Sequence, residues 1–190
     1  MNARRLYAPV VLGLVAAGGL TAATMSRVWG RAVVTAEGLP DDDVTVTGSD
    51  AMGLVSALGL VLLASGLGVL AGSVRVRRLL GALVTLIAGG CLVWVLVGSG
   101  GAVSDAMHSA VRESASFTGG DSPPKADLTL WRFATSACLV LATCCGLAVL
   151  RWASVWPTMS SKYEAPGART PGADDSDMWK AFDEGRDPTE

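Results

Sequence analysis

The chain has 190 residues, 51% of them hydrophobic and 17% charged, with a mean hydropathy of +0.44. Soluble domains carry about 25% charged residues, so this composition argues against an ordinary water-soluble enzyme. A net charge of −2 and a pI near 5.4 leave no basic surface for nucleic acid, and one His with four Cys leaves little for a metal site.

Arg4 and Arg5 precede a first apolar run, 8–25, which contains no ionisable side chain. Its 18 residues reach about 27 Å as a helix, close to a bilayer core of about 30 Å. The basic pair, the apolar run and the small residues Thr21, Ala22, Ala23 and Thr24 also fit a cleaved secretory signal. The run exceeds the usual signal length and no A-x-A site follows it, so it reads as a retained helix, with the signal as the alternative.

Residues 26–50 are expected outside the bilayer. Segments 32–35 and 44–47 are rich in β-branched residues and partly alternate, and Gly38, Pro40 and the run Asp41, Asp42, Asp43 punctuate them. This pattern predicts a short hairpin-like loop. Three adjacent carboxylates could attract a cation, but without fixed ligand spacing they read as a solvated turn.

Two further apolar runs follow, 51–74 and 79–97, separated by a four-residue link that holds Arg75, Arg77 and Arg78. Beyond them, Val103, Ala106, Met107, Ala110 and Val111 recur at helical spacing, opposite Ser104, Asp105, Ser109, Arg112 and Glu113. An amphipathic helix over 102–117 is expected, lying on the outer leaflet or capping the bundle. His108 within it has no second His and no Cys on its side, and reads as a surface residue. Residues 118–127 read as a connector, and the fourth run is 133–150.

Four charge-free apolar runs in so short a chain predict an all-α membrane protein, a bundle of four transmembrane helices over 1–150 with outer loops 26–50 and 98–132. Small residues recur every four positions: Gly13, Ala17 and Thr21; Ala64, Gly68 and Gly72; Gly81, Thr85 and Gly89; Ala134, Cys138, Ala142 and Gly146. Such rows let helix backbones approach closely. The absence of ionisable groups from the runs disfavours an ion channel or a proton-coupled transporter.

Basic residues orient the bundle. The side holding both termini and the 75–78 link has 10 basic residues, against 5 on the side holding loops 26–50 and 98–132. A plasma-membrane protein with cytoplasmic termini is expected. Trp29, Trp94 and Trp131 fall near the outer ends of the runs, and Trp152 and Trp156 near the inner end of the fourth, so all five read as interfacial anchors. Cys91 and Cys138 are expected at similar depth, and Cys144 and Cys145 nearer the cytoplasmic face, all four as small apolar residues. No cofactor and no catalytic residue is expected.

The tail, 151–190, is polar and its Pro- and Gly-rich stretch predicts disorder. Near 177–184, Asp177 can cap a short helix whose apolar face is Met178, Trp179 and Phe182. A helix this short must dock on lipid, on the bundle's own inner face or on a partner's groove, which makes these three residues a candidate interaction site, with the outer hairpin and amphipathic helix as the alternative.

Two tail segments carry a resemblance. Trp156-Pro157-x-Met159-Ser160-Ser161-x-Tyr163 and Trp179-Lys180-Ala181-x-Asp183-x-Gly185-x-Asp187-Pro188-Thr189 resemble the actinobacterial tryptophan-biosynthesis-associated membrane protein family. Trp29, Thr47-Gly48 and the Arg75–Arg78 link extend the resemblance along the chain. It implies a genetic association with tryptophan biosynthesis and no particular activity. The expectation is a non-enzymatic accessory protein that has the lipid bilayer around it and an unidentified protein as partner. The alternatives are a facilitator for tryptophan, indole or another small aromatic metabolite, with Thr21, Thr85, Ser136 and Thr143 as its few polar candidates, and, last, an envelope-lipid enzyme using Asp105, His108 and the Asp41–Asp43 run.

Overall fold

A computed structural model describes residues 3–35, 41–114 and 127–156. The turn residues Gly38 and Pro40, nearly all of the 118–127 connector, and the tail helix with Met178, Trp179 and Phe182 lie outside the described residues.

After a 3-10 turn at Ala3–Leu6, helix α1 runs from Tyr7 to Met25. Pro9 sits in its first turn, where a missing N–H breaks no helical bond. Strands β1 (Val28–Val34) and β2 (Asp42–Thr47) follow, then a single turn of helix, α2 (Gly48–Ala51), and helix α3 (Gly53–Ala71). Helix α4 spans Val74–Glu113, a two-residue strand β3 covers Asp127–Leu128, and helix α5 covers Trp131–Trp152.

Helices α1, α3, α4 and α5 are each long and apolar enough to cross a membrane. Their inward faces bury Leu14, Ala17, Val55, Leu62, Val84, Ala88, Leu139 and Ala142 against one another. Their outward faces expose Leu12, Leu20, Leu60, Leu67, Leu86, Val93, Leu141 and Leu147. A helix that is apolar on all sides yet half uncovered belongs among acyl chains. Helix α1 packs on α3 and α5, and α4 packs on α5 and more lightly on α3, so the four helices form a closed ring.

Two glycines set the closest approaches. A Cβ on Gly18 would lie 2.4 Å from the backbone nitrogen of Leu63 in α3, and one on Gly146 would lie 2.6 Å from Oγ1 of Thr85 in α4. Of the expected small-residue rows in α4 and α5, Gly81 and Thr85 meet Gly146, whereas Gly89 has open space around it. In α3 the expected row of Ala64, Gly68 and Gly72 is not the one that meets α1. Gly59 and Gly66, two turns apart, lie against Thr21 and Val15, while Gly68 lies against Leu80 of α4. With glycine on several faces of one helix, spacing alone does not select the contact face.

The chain turns between α3 and α4 on Gly72 and Ser73 alone. The expected four-residue link is therefore shorter, and Arg75, Arg77 and Arg78 belong to the first turn and a half of α4. The larger difference is at the other end of that helix. The expected third span and the expected outer amphipathic helix are one continuous α4 of 40 residues, about 60 Å long or twice the bilayer core. Gly98, Ser99, Gly100 and Gly101 lie in its middle and do not break it, although four weak helix formers together read as a boundary.

Candidate functional site

The part of α4 beyond Val97 is the base of a small folded unit. Strands β1 and β2 pair antiparallel, and β3 adds to the free edge of β1 through Gly30 and Arg31, in the order β2-β1-β3. Their inward residues Ala32, Val34, Val44 and Val46 close over Met107 and Val111, while Val103, one turn earlier on α4, joins the core of the spans. The three α4 residues stand one turn apart each on a single helix face. The amphipathic pattern is thus realised, but its apolar side meets protein. The helix leaves the spans on their own axis, because the sheet supplies the apolar cover that a leaflet surface would otherwise have provided. At the end of α4 the hydroxyl of Ser114 donates to Oδ2 of Asp42 at 2.5 Å, fastening the helix to the start of β2.

Trp29 joins this unit to the spans. Its indole N–H donates to the carbonyl of Thr24 at 3.1 Å, and its ring covers Gly48. Thr47 and Asp50 form a capping box at the start of α2: the Thr47 N–H donates to Asp50 Oδ2 at 2.9 Å, and the Asp50 N–H donates to Thr47 Oγ1 at 3.3 Å. Below Trp29, Oγ1 of Thr135 donates to Oγ1 of Thr24 at 2.8 Å, tying α5 to α1 inside the bundle.

A second cluster closes the opposite, basic end. Arg77 is buried, with its Nε donating to the Val69 carbonyl at 3.0 Å and an Nη to the Tyr7 hydroxyl at 3.3 Å. Its guanidinium lies 5.0 Å from the centre of the Tyr7 ring, and Tyr7 stands edge-on to Trp156 at 5.3 Å. Tyr7 also donates to the Leu70 carbonyl at 3.3 Å. Val69 and Leu70 are in the last turn of α3, whose carbonyls have no helical partner. A cation placed there satisfies those oxygens and the negative end of the helix.

The tryptophans divide. Trp29 is 1% exposed and Trp156 2%, so these two are packing residues and neither offers its ring to headgroups. The reason is the same for both, a glycine or tyrosine surface that receives the ring. Trp94 and Trp131 are exposed, and Trp152 is half-buried against the core. Sequence position near a span end does not distinguish these cases.

The residues singled out for chemistry do not converge. Nε2 of His108 is 3.5 Å from Oγ of Ser104, at the limit of a hydrogen bond. Among the described residues no group of three or more His, Cys, Asp or Glu could hold a metal ion. All four cysteines are free thiols. Thr21, Thr85, Ser136 and Thr143 each donate to the carbonyl four residues earlier, at 2.8 to 2.9 Å.

A concave feature lies between α4 and α5 where the spans meet the sheet unit. A pocket of about 120 Å³ is lined by Val95, Leu96, Ser99, Arg132, Phe133 and Ser136. Nε of Arg132 is buried there without a hydrogen-bond partner.

The family model described as tryptophan-associated transmembrane protein matches residues 10–189. The chain belongs to that family. No curated protein and no solved structure matches it. For this tryptophan-associated transmembrane protein the match and the four apolar helices agree on a multi-pass membrane protein. The match also takes in residues that resembled the family from sequence, and the fold brings two of those sites together: Trp29 lies on Gly48, beside the Thr47 cap. Sequence reasoning missed the buried bonds of Arg77 and the placement of Ser99 and Arg132 around one pocket. The available signal was weak in each case, a polar residue within one or two turns of a span end.

Proposed function

We propose that the chain is a non-catalytic accessory protein of the plasma membrane, associated with tryptophan biosynthesis, that engages another protein through its sheet-side unit. The observation that carries this reading is the continuity of α4, which runs unbroken from the spans into the base of the sheet. A rigid rod of this kind holds a folded surface at a fixed height and angle over the membrane. The exposed side of that surface is Arg31, Val33, Asp43 and Thr45 on the strands and Ser104, Asp105 and His108 on the helix. Edge strand β2 keeps one side of its backbone unpaired by β1 or β3, a feature that suits strand-to-strand recognition.

Further support comes from the buried polar groups. Thr24, Thr135, Trp29 and Arg77 are all occupied in holding helices and strands, which leaves them poor candidates for acid–base work. In this reading the basic end and both termini face the cytoplasm, and the sheet unit lies outside the cell.

Photo-crosslinking from Thr45 and His108 in living cells tests the proposal. The expected result is a discrete crosslinked species of defined mass from one or both positions, absent when the crosslinker is placed at lipid-facing Leu86. Only a diffuse background from both positions overturns it. A discrete species from Trp179 or Phe182 alone would move the interaction site to the tail.

A further inference from the structure

The pocket between α4 and α5 has a composition that the packing of the bundle does not require. Ser99 is 3% exposed, faces the pocket and makes no hydrogen bond among the described residues. Other hydroxyls in these helices, Ser65, Thr85 and Ser136 among them, donate back to the carbonyl four residues earlier. Ser99 does not. Across the pocket, Nε of Arg132 is buried and unpartnered, with the guanidinium 4.7 Å from the centre of the Phe133 ring. Buried donors are ordinarily paired. The unpaired Arg132 Nε and the pocket-lining Ser99 hydroxyl, on facing helices around a pocket of about 120 Å³, describe a place for an acceptor that carries negative charge.

The surroundings select the source of that acceptor. Leu96 and Phe133, which form the pocket's outer wall, are 60% and 53% exposed, and they lie on helices that cross the membrane. An exposed apolar lining on membrane-crossing helices suits contact with acyl chains. Exposed Trp94 and Trp131 lie close by in sequence on the same two helices, where aromatic rings mark headgroup level. A ligand entering from this side has an oily body and an anionic head.

The geometry points to a bound anionic phospholipid of the leaflet on the sheet side, its phosphodiester accepting from the Arg132 guanidinium and Ser99 Oγ and one acyl chain lying along Leu96 and Phe133. The guanidinium fork suits a phosphate, and the hydroxyl supplies a second donor from the neighbouring helix. Such a lipid joins α4 to α5 at the level where the rigid rod leaves the membrane. This inference does not depend on the partner proposed above.

Native mass spectrometry of the full chain, purified in detergent, stripped of lipid and then offered phosphatidylglycerol or phosphatidylcholine, reads the site directly. The expected result is one retained phosphatidylglycerol, at least fivefold more abundant than phosphatidylcholine at equal concentration. Arg132→Gln reduces that adduct to the phosphatidylcholine level, and Arg132→Lys restores part of it. Ser99→Val, which keeps the guanidinium but removes a donor and narrows the pocket, also lowers it several-fold. Arg112→Gln, remote on the exposed end of α4, leaves it unchanged. Circular dichroism confirms that each variant is folded, and if Arg132→Gln is not, the Ser99→Val and Arg132→Lys pair decides. Equal adducts in all folded variants overturn the inference. So does full competition by inorganic phosphate or free tryptophan at concentrations comparable to the lipid, because the site would then be a small-anion site.

Discussion

The ring of Trp29 lies on Gly48 so closely that a Cβ there would come within 2.6 Å of the indole and 3.0 Å of the Met25 carbonyl. Strand β1, the α2 turn and the end of α1 therefore meet at one point, and the sheet unit hangs from it. Gly48→Ala must displace either the ring or the backbone. Overpacking of this kind costs about 1–3 kcal/mol. The expected outcome is a lower melting temperature in detergent together with a red-shifted tryptophan emission, as the displaced indole meets water. The same emission from Gly100→Ala, at a glycine with open space around it, should be unchanged.

At the other end Arg77 is held by the Val69 carbonyl, the Tyr7 hydroxyl and the Tyr7 ring. Hydrogen bonds to a charged group are worth about 1.5–3 kcal/mol, and their loss also leaves a buried carbonyl unsatisfied. Arg77→Met should destabilise by about that amount in a reversible unfolding assay. Arg77→Lys should recover little, because an ammonium cannot reproduce the Nε and Nη geometry. Arg75→Ala and Arg78→Ala, at exposed positions of the same turn, should stay within about 0.5 kcal/mol of the parent.

Inside the bundle the pairing of Thr135 with Thr24 calls for a smaller figure. Hydrogen bonds between membrane helices average about 0.6 kcal/mol, since the separated helices find other partners. Thr135→Val preserves the shape and should cost about that much in a steric-trapping or unfolding measurement. A loss as large as that of Arg77→Met would mean that the two threonines do more than join α5 to α1.

The four spans were legible because lipid imposes a simple rule, a long charge-free run, and α1 and α5 obey it to within one or two residues at either end. The hairpin was legible from alternation in 32–35 and 44–47, and the apolar side of 102–117 from its helical period. What the sequence hid was how these pieces join. Gly98 to Gly101 look like a break, yet a helix supported on one side by α5 and on the other by the sheet keeps its hydrogen bonds through them. Trp29 looks like an anchor because it follows a span, and only the strand that carries it turns the ring inward onto Gly48. Ser99 and Arg132 are 33 positions apart, so their meeting depends on the pairing of α4 with α5, which composition does not specify.

Met107 of α4 is fully buried against the strands, with Val111 beside it in the same cluster. Truncating a buried Met costs about 2–5 kcal/mol, and a carboxylate adds an unpaired charge. Met107→Asp should therefore undock the sheet while leaving the four spans assembled, since the sheet and the spans have separate cores. Hydrogen–deuterium exchange is expected to accelerate across Val28–Val34 and Asp42–Thr47 and to remain slow across Gly53–Ala71 and Trp131–Trp152. Equal acceleration in α3 and α5 would show that the two cores fold as one.

The proposed orientation rests on basic residues at one end of the bundle, and it can be read with a membrane-impermeant maleimide. In a background whose native cysteines are replaced by alanine, Arg78→Cys and His108→Cys place single thiols at exposed positions near opposite ends of α4. With the basic end in the cytoplasm, His108→Cys should label in intact cells and Arg78→Cys only after permeabilisation. Arg78 is the safer of the exposed arginines to replace, because Arg4, Arg5 and Arg75 remain to hold the topology. Replacing Arg75 and Arg78 together by Glu, with Arg77 kept for its structural bonds, should produce a mixed population in which both thiol positions label in part. A pattern in which Arg78→Cys labels in intact cells while His108→Cys does not would put the sheet unit in the cytoplasm and move the search for its partner there.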